Sequence, residues 1–99
     1  MWVRSTYPDA VSDAALATPG ALMSRALRQR GLTLDDLARS TRLRSGLLEQ
    51  MEADDFVETG GDVYARGHLR VIAGVLGIDA DELLTAYDTA PTVRRPPAP

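Results

Sequence analysis

The chain has 99 residues, enough for one domain with a modest core. It is 44% apolar and 25% charged, the balance of a soluble globular protein, and it has no Cys, which excludes a disulfide framework and thiolate chemistry. Net charge is −3 and all 11 cations are Arg, so nucleic-acid binding would require the charges to be segregated onto one face.

Residues 1–19 carry two Pro and weak periodicity, and read as a flexible N-terminal segment with at most a helical turn near 10–17. Pro8, Asp9 and Asp13 interrupt any apolar core of a secretory signal. No run reaches the roughly 20 apolar residues that span a bilayer. A cytoplasmic location is the expectation.

A helical domain is predicted over 20–88. The first helix, about 20–30, shows Leu22, Met23, Ala26 and Leu27 on one stripe, with Gly31 as its left-handed stop. The second, about 34–40, opens on Thr33, with Asp36 three residues later as a short-armed capping box. Leu37 and Ala38 face inward. The third, about 44–53, buries Leu47, Leu48 and Met51. Its C-terminal end carries Glu49, Glu52, Asp54 and Asp55, which oppose the helix dipole and predict fraying.

Residues 54–61 form a loop ending in Gly60–Gly61. The fourth helix, about 62–76, has two apolar stripes: Ala65, Leu69, Ile72, Ala73 and Leu76 on one, and Tyr64, His68, Val71 and Val75 on the other. Such breadth predicts the central helix of the domain. Gly77 ends it. The fifth, about 80–88, starts at Asp79 with Glu82 completing a capping box, and turns Leu83, Leu84 and Tyr87 to the core. Residues 89–99, with four Pro, read as an extended linker or tail. The fold class is therefore all-α.

The second and third helices are short and joined by about three residues, which is helix-turn-helix spacing. The five-helix order resembles small repressor domains of the Xre type. A more specific resemblance lies in GLTLDDLARSTRLRSGLLEQMEADDF, followed by a glycine loop and VYARGHLRVIAGVLGIDADELL. This is similar to the N-terminal cytoplasmic helix-turn-helix domain of the RodZ family of bacterial cell-shape proteins. The resemblance covers about 22–88. It rests on Leu34, Leu37, Ala38, Leu43, Leu48, Glu52, Asp55, Phe56, Gly61, Val63, Tyr64, Arg66, Gly67, Leu69, Arg70, Leu76, Gly77, Asp79 and Leu83.

The resemblance implies a non-enzymatic adaptor that docks on the actin homologue MreB or another cytoskeletal or division protein. It also implies a Pro-rich linker leading to a membrane helix beyond Pro99, which would hold the domain at the cytoplasmic face of the inner membrane. Two departures stand out. The family often has Leu-Pro before Gly61, whereas Glu58, Thr59 and Gly60 stand here, a change expected to loosen the loop. The family often has an aromatic residue at the position of His68.

Candidate docking residues are Phe56, Tyr64 and His68. The aromatic pair has two readings: interface anchors, or side chains folded back on the core. A second function class is a DNA-binding regulator, in which Arg39, Arg42, Arg44 and Ser45 contact phosphates and base edges. Against it stand twelve carboxylates and eight Arg between residues 20 and 90. His68 is the single His and has no ligand set around it. No nucleophile–base pairing or phosphate loop accompanies the acids, so neither catalysis nor a cofactor is expected.

Overall fold

The computed structural model describes residues 17–97 and contains five α-helices. They are α1 Pro19–Arg30, α2 Leu34–Thr41, α3 Ser45–Glu52, α4 Asp62–Leu76 and α5 Ala80–Thr89. The expected all-α helix-turn-helix architecture is present. The packing of Trp2 and Tyr7 lies outside the described residues.

Local chemistry sets each boundary. The Thr18 side chain accepts from the Ala21 amide at 3.1 Å and starts α1, with Pro19 at its first position. The start lies one residue before the expected position, because Pro19, placed with the flexible segment, is preset for a helix's first turn. Gly31, at φ 66°, closes the helix, and Leu32 N–H donates to Leu27 O at 2.9 Å. The capping box of α2 forms in both directions: Asp36 N–H donates to Thr33 Oγ1 and Thr33 N–H donates to Asp36 Oδ2. At α5, Asp79 caps through the Asp81 amide at 2.9 Å.

The core gathers Met23, Leu27, Leu37, Leu48, Met51, Phe56, Leu69, Ile72, Leu76, Leu83 and Tyr87. α4 lies among α1, α2 and α5, so it is the central helix. Only its first apolar stripe is buried, however. Val63, Tyr64 and Val71 remain 78%, 63% and 49% exposed. Two stripes on one helix do not require burial of both, because only three helices pack against α4.

The acidic end of α3 is not frayed. Glu52 accepts from Ser24 Oγ at 2.6 Å, and Asp54 Oδ1 accepts from Gly20 N–H at 2.7 Å. Asp54 serves the start of α1, whose unpaired amides and positive dipole end favour an anion, while Glu52 bonds a side chain further along the same helix. An acid that opposes its own helix dipole thus satisfies a neighbour's. Asp54 takes a left-handed conformation, φ 64°, to make this reach.

The tail turns at Pro91–Thr92, where Val93 N–H donates to Ala90 O at 3.3 Å, and it is not free. Ala90 and Val93 are buried, and Arg94 forms a parallel bridge with Asp55. The 54–61 loop, expected from its sequence to be loose, carries hydrogen bonds of its own. Thr59 is buried, and both its amide and its hydroxyl donate to Phe56 O, at 3.3 and 2.8 Å.

Gly20 is fixed by crowding rather than by φ. A Cβ there would fall on the Glu52 carbonyl oxygen and lie 2.7 Å from Asp54 Oδ1. Gly20→Ala must push α1 from α3, and overpacking of this kind costs about 1–3 kcal/mol. Urea unfolding should show that loss. An unchanged midpoint would mean that the α1–α3 approach is softer than described.

Candidate functional site

α4 presents one face to its partners in the fold and the other to solvent. Tyr64, His68 and Val71 follow at helical spacing along the outer face, with Val63 beside them. The Tyr64 and His68 rings lie 6.5 Å apart, tilted by 40°. Tyr64 also rests on the Gly60 backbone, where an added Cβ would stand 3.6 Å from its ring. Gly60 and Gly61, at φ 99° and 115°, turn the loop tightly enough to expose this ring. The result is a contiguous apolar strip with an aromatic at the N-terminal end.

Phe56 does not belong to that strip. It is fully buried, edge-on to Tyr87 with ring centroids 5.0 Å apart and planes at 66°. Of the three docking candidates, Tyr64 is exposed, His68 is half-buried and Phe56 is core. Phe56 supports the surface from behind and cannot touch a partner without unfolding its loop.

The support is a cluster centred on Tyr87. Its hydroxyl donates to Asp62 Oδ1 at 2.9 Å. Arg66 Nε donates to Asp62 Oδ2 at 2.9 Å, and the same guanidinium reaches both oxygens of Asp88. The guanidiniums of Arg66 and Arg95 each lie 5.4 Å from the Tyr87 ring centre. The Arg66–Asp62 pair follows from i,i+4 spacing, but Asp88, Arg95 and the Tyr87 hydroxyl are not readable from local sequence.

Electrostatics follow from these contacts. The hydrogen bond from Arg66, then that from Tyr87, holds Asp62 below the usual carboxylate range. Asp88, then Asp62, raises Arg66 further above its ordinary value. Burial, then the bond to Asp62, pushes the Tyr87 phenol up to about 12. On the helix-turn-helix side, the Thr33 backbone amide lowers Asp36.

The alternative DNA-facing residues cluster around the turn at 42–44. Arg42 adopts φ 64° and its amide bonds Ala38 O at 2.8 Å, which closes α2. Arg42 and Arg44 are exposed, and α3 begins without a side-chain cap. Arg39 is exposed but pairs with Asp36 at 2.5 Å, and Ser45 is half-buried at the first position of α3. Beside Arg44 runs an open groove of about 450 Å³, lined by Gly46, Leu47, Gln50 and Glu58. Exposed Glu49 and Glu58 place carboxylates along this same side. Among the described residues, no group of three His, Asp or Glu is placed to hold a metal, and no helix is long and apolar enough to cross a membrane.

The profile of a helix-turn-helix domain family matches residues 23–83. The cytoskeleton protein RodZ of Streptococcus pneumoniae (strain ATCC BAA-255 / R6) is 36% identical over 72 residues, which is 73% of this chain and 26% of that protein. The chain thus spans about a quarter of that relative's length. No solved structure matches.

Tyr87 gives the cluster a pH signature. Its phenol holds its proton up to about 12 in the folded state, against 10.0 unperturbed. Stability from this group is complete below pH 10 and falls as pH rises through that window, because the unfolded chain releases the proton first. Tyr87→Phe should flatten the alkaline fall in urea midpoint. A wild-type phenol that titrates at its ordinary value with the fold intact would contradict the cluster.

Proposed function

The chain belongs to the RodZ-like helix-turn-helix domain family, and from that footing we propose that it is a protein-docking adaptor of the bacterial cytoskeleton. The observation that carries this reading is the exposure of Val63, Tyr64 and Val71, with half-buried His68 between them, on an otherwise well-packed helix. Small soluble domains seldom leave large apolar side chains in a row without a use for them. The relative's printed role, a cytoskeleton protein, supports a cytoskeletal partner. The bacterial actin homologue MreB is the partner that the RodZ resemblance suggests.

The chemistry of the face favours protein over nucleic acid. A tyrosine at the end of an apolar strip is a common interface anchor, whereas phosphate demands clustered, unopposed cations. His68 in place of the family's aromatic leaves Tyr64 as the main anchor. The reading is of a binding module, with no reacting group assigned to any residue.

A second reading keeps one specific observation: Arg42 and Arg44 are exposed beside the uncapped start of α3. That end of a helix attracts phosphate. Fluorescence anisotropy with duplex DNA across a salt series tests it. Absence of binding at low salt, or an unchanged isotherm for Arg44→Ala, rejects it.

The docking reading is tested by titrating the domain with the host's actin homologue. Tyr64→Ala and Val71→Arg alter exposed positions, so stability should stay within about 0.5 kcal/mol. Each should weaken binding at least about tenfold if it truncates or blocks an anchor. Wild-type affinity in both variants would remove α4 as the surface. Phe56→Ala is unsuitable here, since loss of a buried Phe costs about 3–5 kcal/mol of stability.

A further inference from the structure

The segment after α5 is attached to the domain by few, separable contacts. Phe56 N–H donates to Arg94 O and Arg94 N–H donates to Asp54 O, both at 2.8 Å. Arg94 pairs with Asp55 at 2.9 Å, largely in solvent. Arg95 donates to the carbonyls of Tyr87 and Ala90 at the end of α5. Val93 supplies the buried apolar contact, at 5% exposure. Pro96 and Pro97 follow, and without an N–H neither can extend the pairing. Backbone pairing through these residues' amides therefore stops, although Pro96 is half-buried.

What these contacts hold is the back of the docking face. Arg94 pairs with the loop on both sides of Asp55, next to Phe56. Phe56 lies on Tyr87, and Tyr87 bonds Asp62 in the first turn of α4, two residues before Tyr64. Arg95 lies over the same Tyr87 ring. The chain leaves the domain beside the residues that position Tyr64.

We propose that residues 90–95 form a releasable strap that sets the conformation of the 54–61 loop and the first turn of α4. Docked, the strap clamps Phe56 against Tyr87 and fixes the turn that carries Tyr64. Release of the strap withdraws Ala90 and Val93 and frees the loop while the five helices stay packed on one another. The opening must break two backbone hydrogen bonds, one exposed ion pair and the Arg95 bonds to two carbonyls, and must withdraw Ala90 and Val93, few enough contacts for it to be local, of the kind that precedes global unfolding. In its consequence for binding, the inference rests on the docking reading above. The strap itself is read without any partner.

Native-state hydrogen exchange by NMR on the full 99-residue chain tests it. The Phe56 and Arg94 amides should show protection at least about tenfold below that of Leu69 and Ile72, with little dependence on low urea, as local opening requires. Val93→Asp should lower protection at Phe56 and at Ala65, whose amide bonds Gly61 O at 2.9 Å, while Leu48 in α3 keeps its own. Exposed Thr92→Asp should change neither. Should Val93→Asp fail to fold, Arg94→Ala is the milder variant, and the wild-type profile decides by itself. Equal protection and equal urea dependence for Phe56, Arg94, Leu69 and Ile72 would overturn the proposal. So would a folded Val93→Asp in which Ala65 exchanges as in the wild type. Because exchange needs no partner, its failure is distinct from a failure of docking.

Discussion

The Tyr87 hydroxyl bonded to Asp62 joins the end of α5 to the start of α4, and much of the domain depends on that closure. Asp62 could not be held so well by a local pair alone, because an exposed i,i+4 ion pair contributes only a few tenths of a kcal/mol. Here the carboxylate takes a guanidinium and a phenol together, and the guanidinium is in turn fixed by Asp88. The buried ring beneath them meets Phe56, which brings the preceding loop into the same assembly. One aromatic residue thus serves the core with its ring and the surface with its hydroxyl. Loss of the ring would open a cavity, whereas loss of the hydroxyl alone would release Asp62. The two effects are separable.

A similar economy governs the acidic end of α3. Glu52 and Asp54 are unfavourable where they stand in the sequence and favourable where they stand in space, because the Ser24 hydroxyl meets the first and the Gly20 amide at the start of α1 meets the second. This also redistributes charge. Those carboxylates turn toward α1, so the turn at Arg42 and Arg44 is less acidic than the local sequence implies. Glu49 and Glu58 nonetheless remain on that side. The helix-turn-helix geometry is retained while its phosphate-binding character is diluted.

Helix positions, the capping box at Thr33 and Asp36, the stop at Gly31 and the buried stripe of α4 were legible because each is a short-range consequence of residue type and spacing. The RodZ-like identity was legible because the Asp-Phe loop and the Tyr-Ala-Arg-Gly helix start lie in contiguous sequence. Contacts between residues distant in sequence were not. Gly20 against Glu52, Arg94 against Asp55, and Tyr87 against Asp62 lie more than 20 residues apart, and no periodicity encodes them. Phe56 illustrates the limit well. An aromatic in an acidic loop fits an anchor and a plug equally, and only the position of Tyr87 decides. Thr59 illustrates another: its hydroxyl bonds Phe56 O within the loop, a contact that residue type alone does not announce.

The size of the α4 strip bears on what kind of docking it can support. An aromatic side chain offers on the order of 150–250 Å², and Tyr64 is 63% exposed, so covering the exposed part is worth roughly 2–4 kcal/mol at about 25 cal/mol/Å². The flanking valines add about 1.5–3 kcal/mol each at most. Association costs about 4–15 kcal/mol in lost motion before any net affinity appears. A strip of this size therefore gives a weak single contact unless polar groups at its rim add to it. Weakness is no handicap against a partner with repeated sites, such as the cytoskeletal one proposed above, because repetition raises effective concentration. It also makes positioning matter more. When the net term is a small difference between large ones, a fixed Tyr64 rotamer and a rigid first turn decide whether the domain binds. The Tyr87–Asp62–Arg66 closure behind the strip supplies that rigidity.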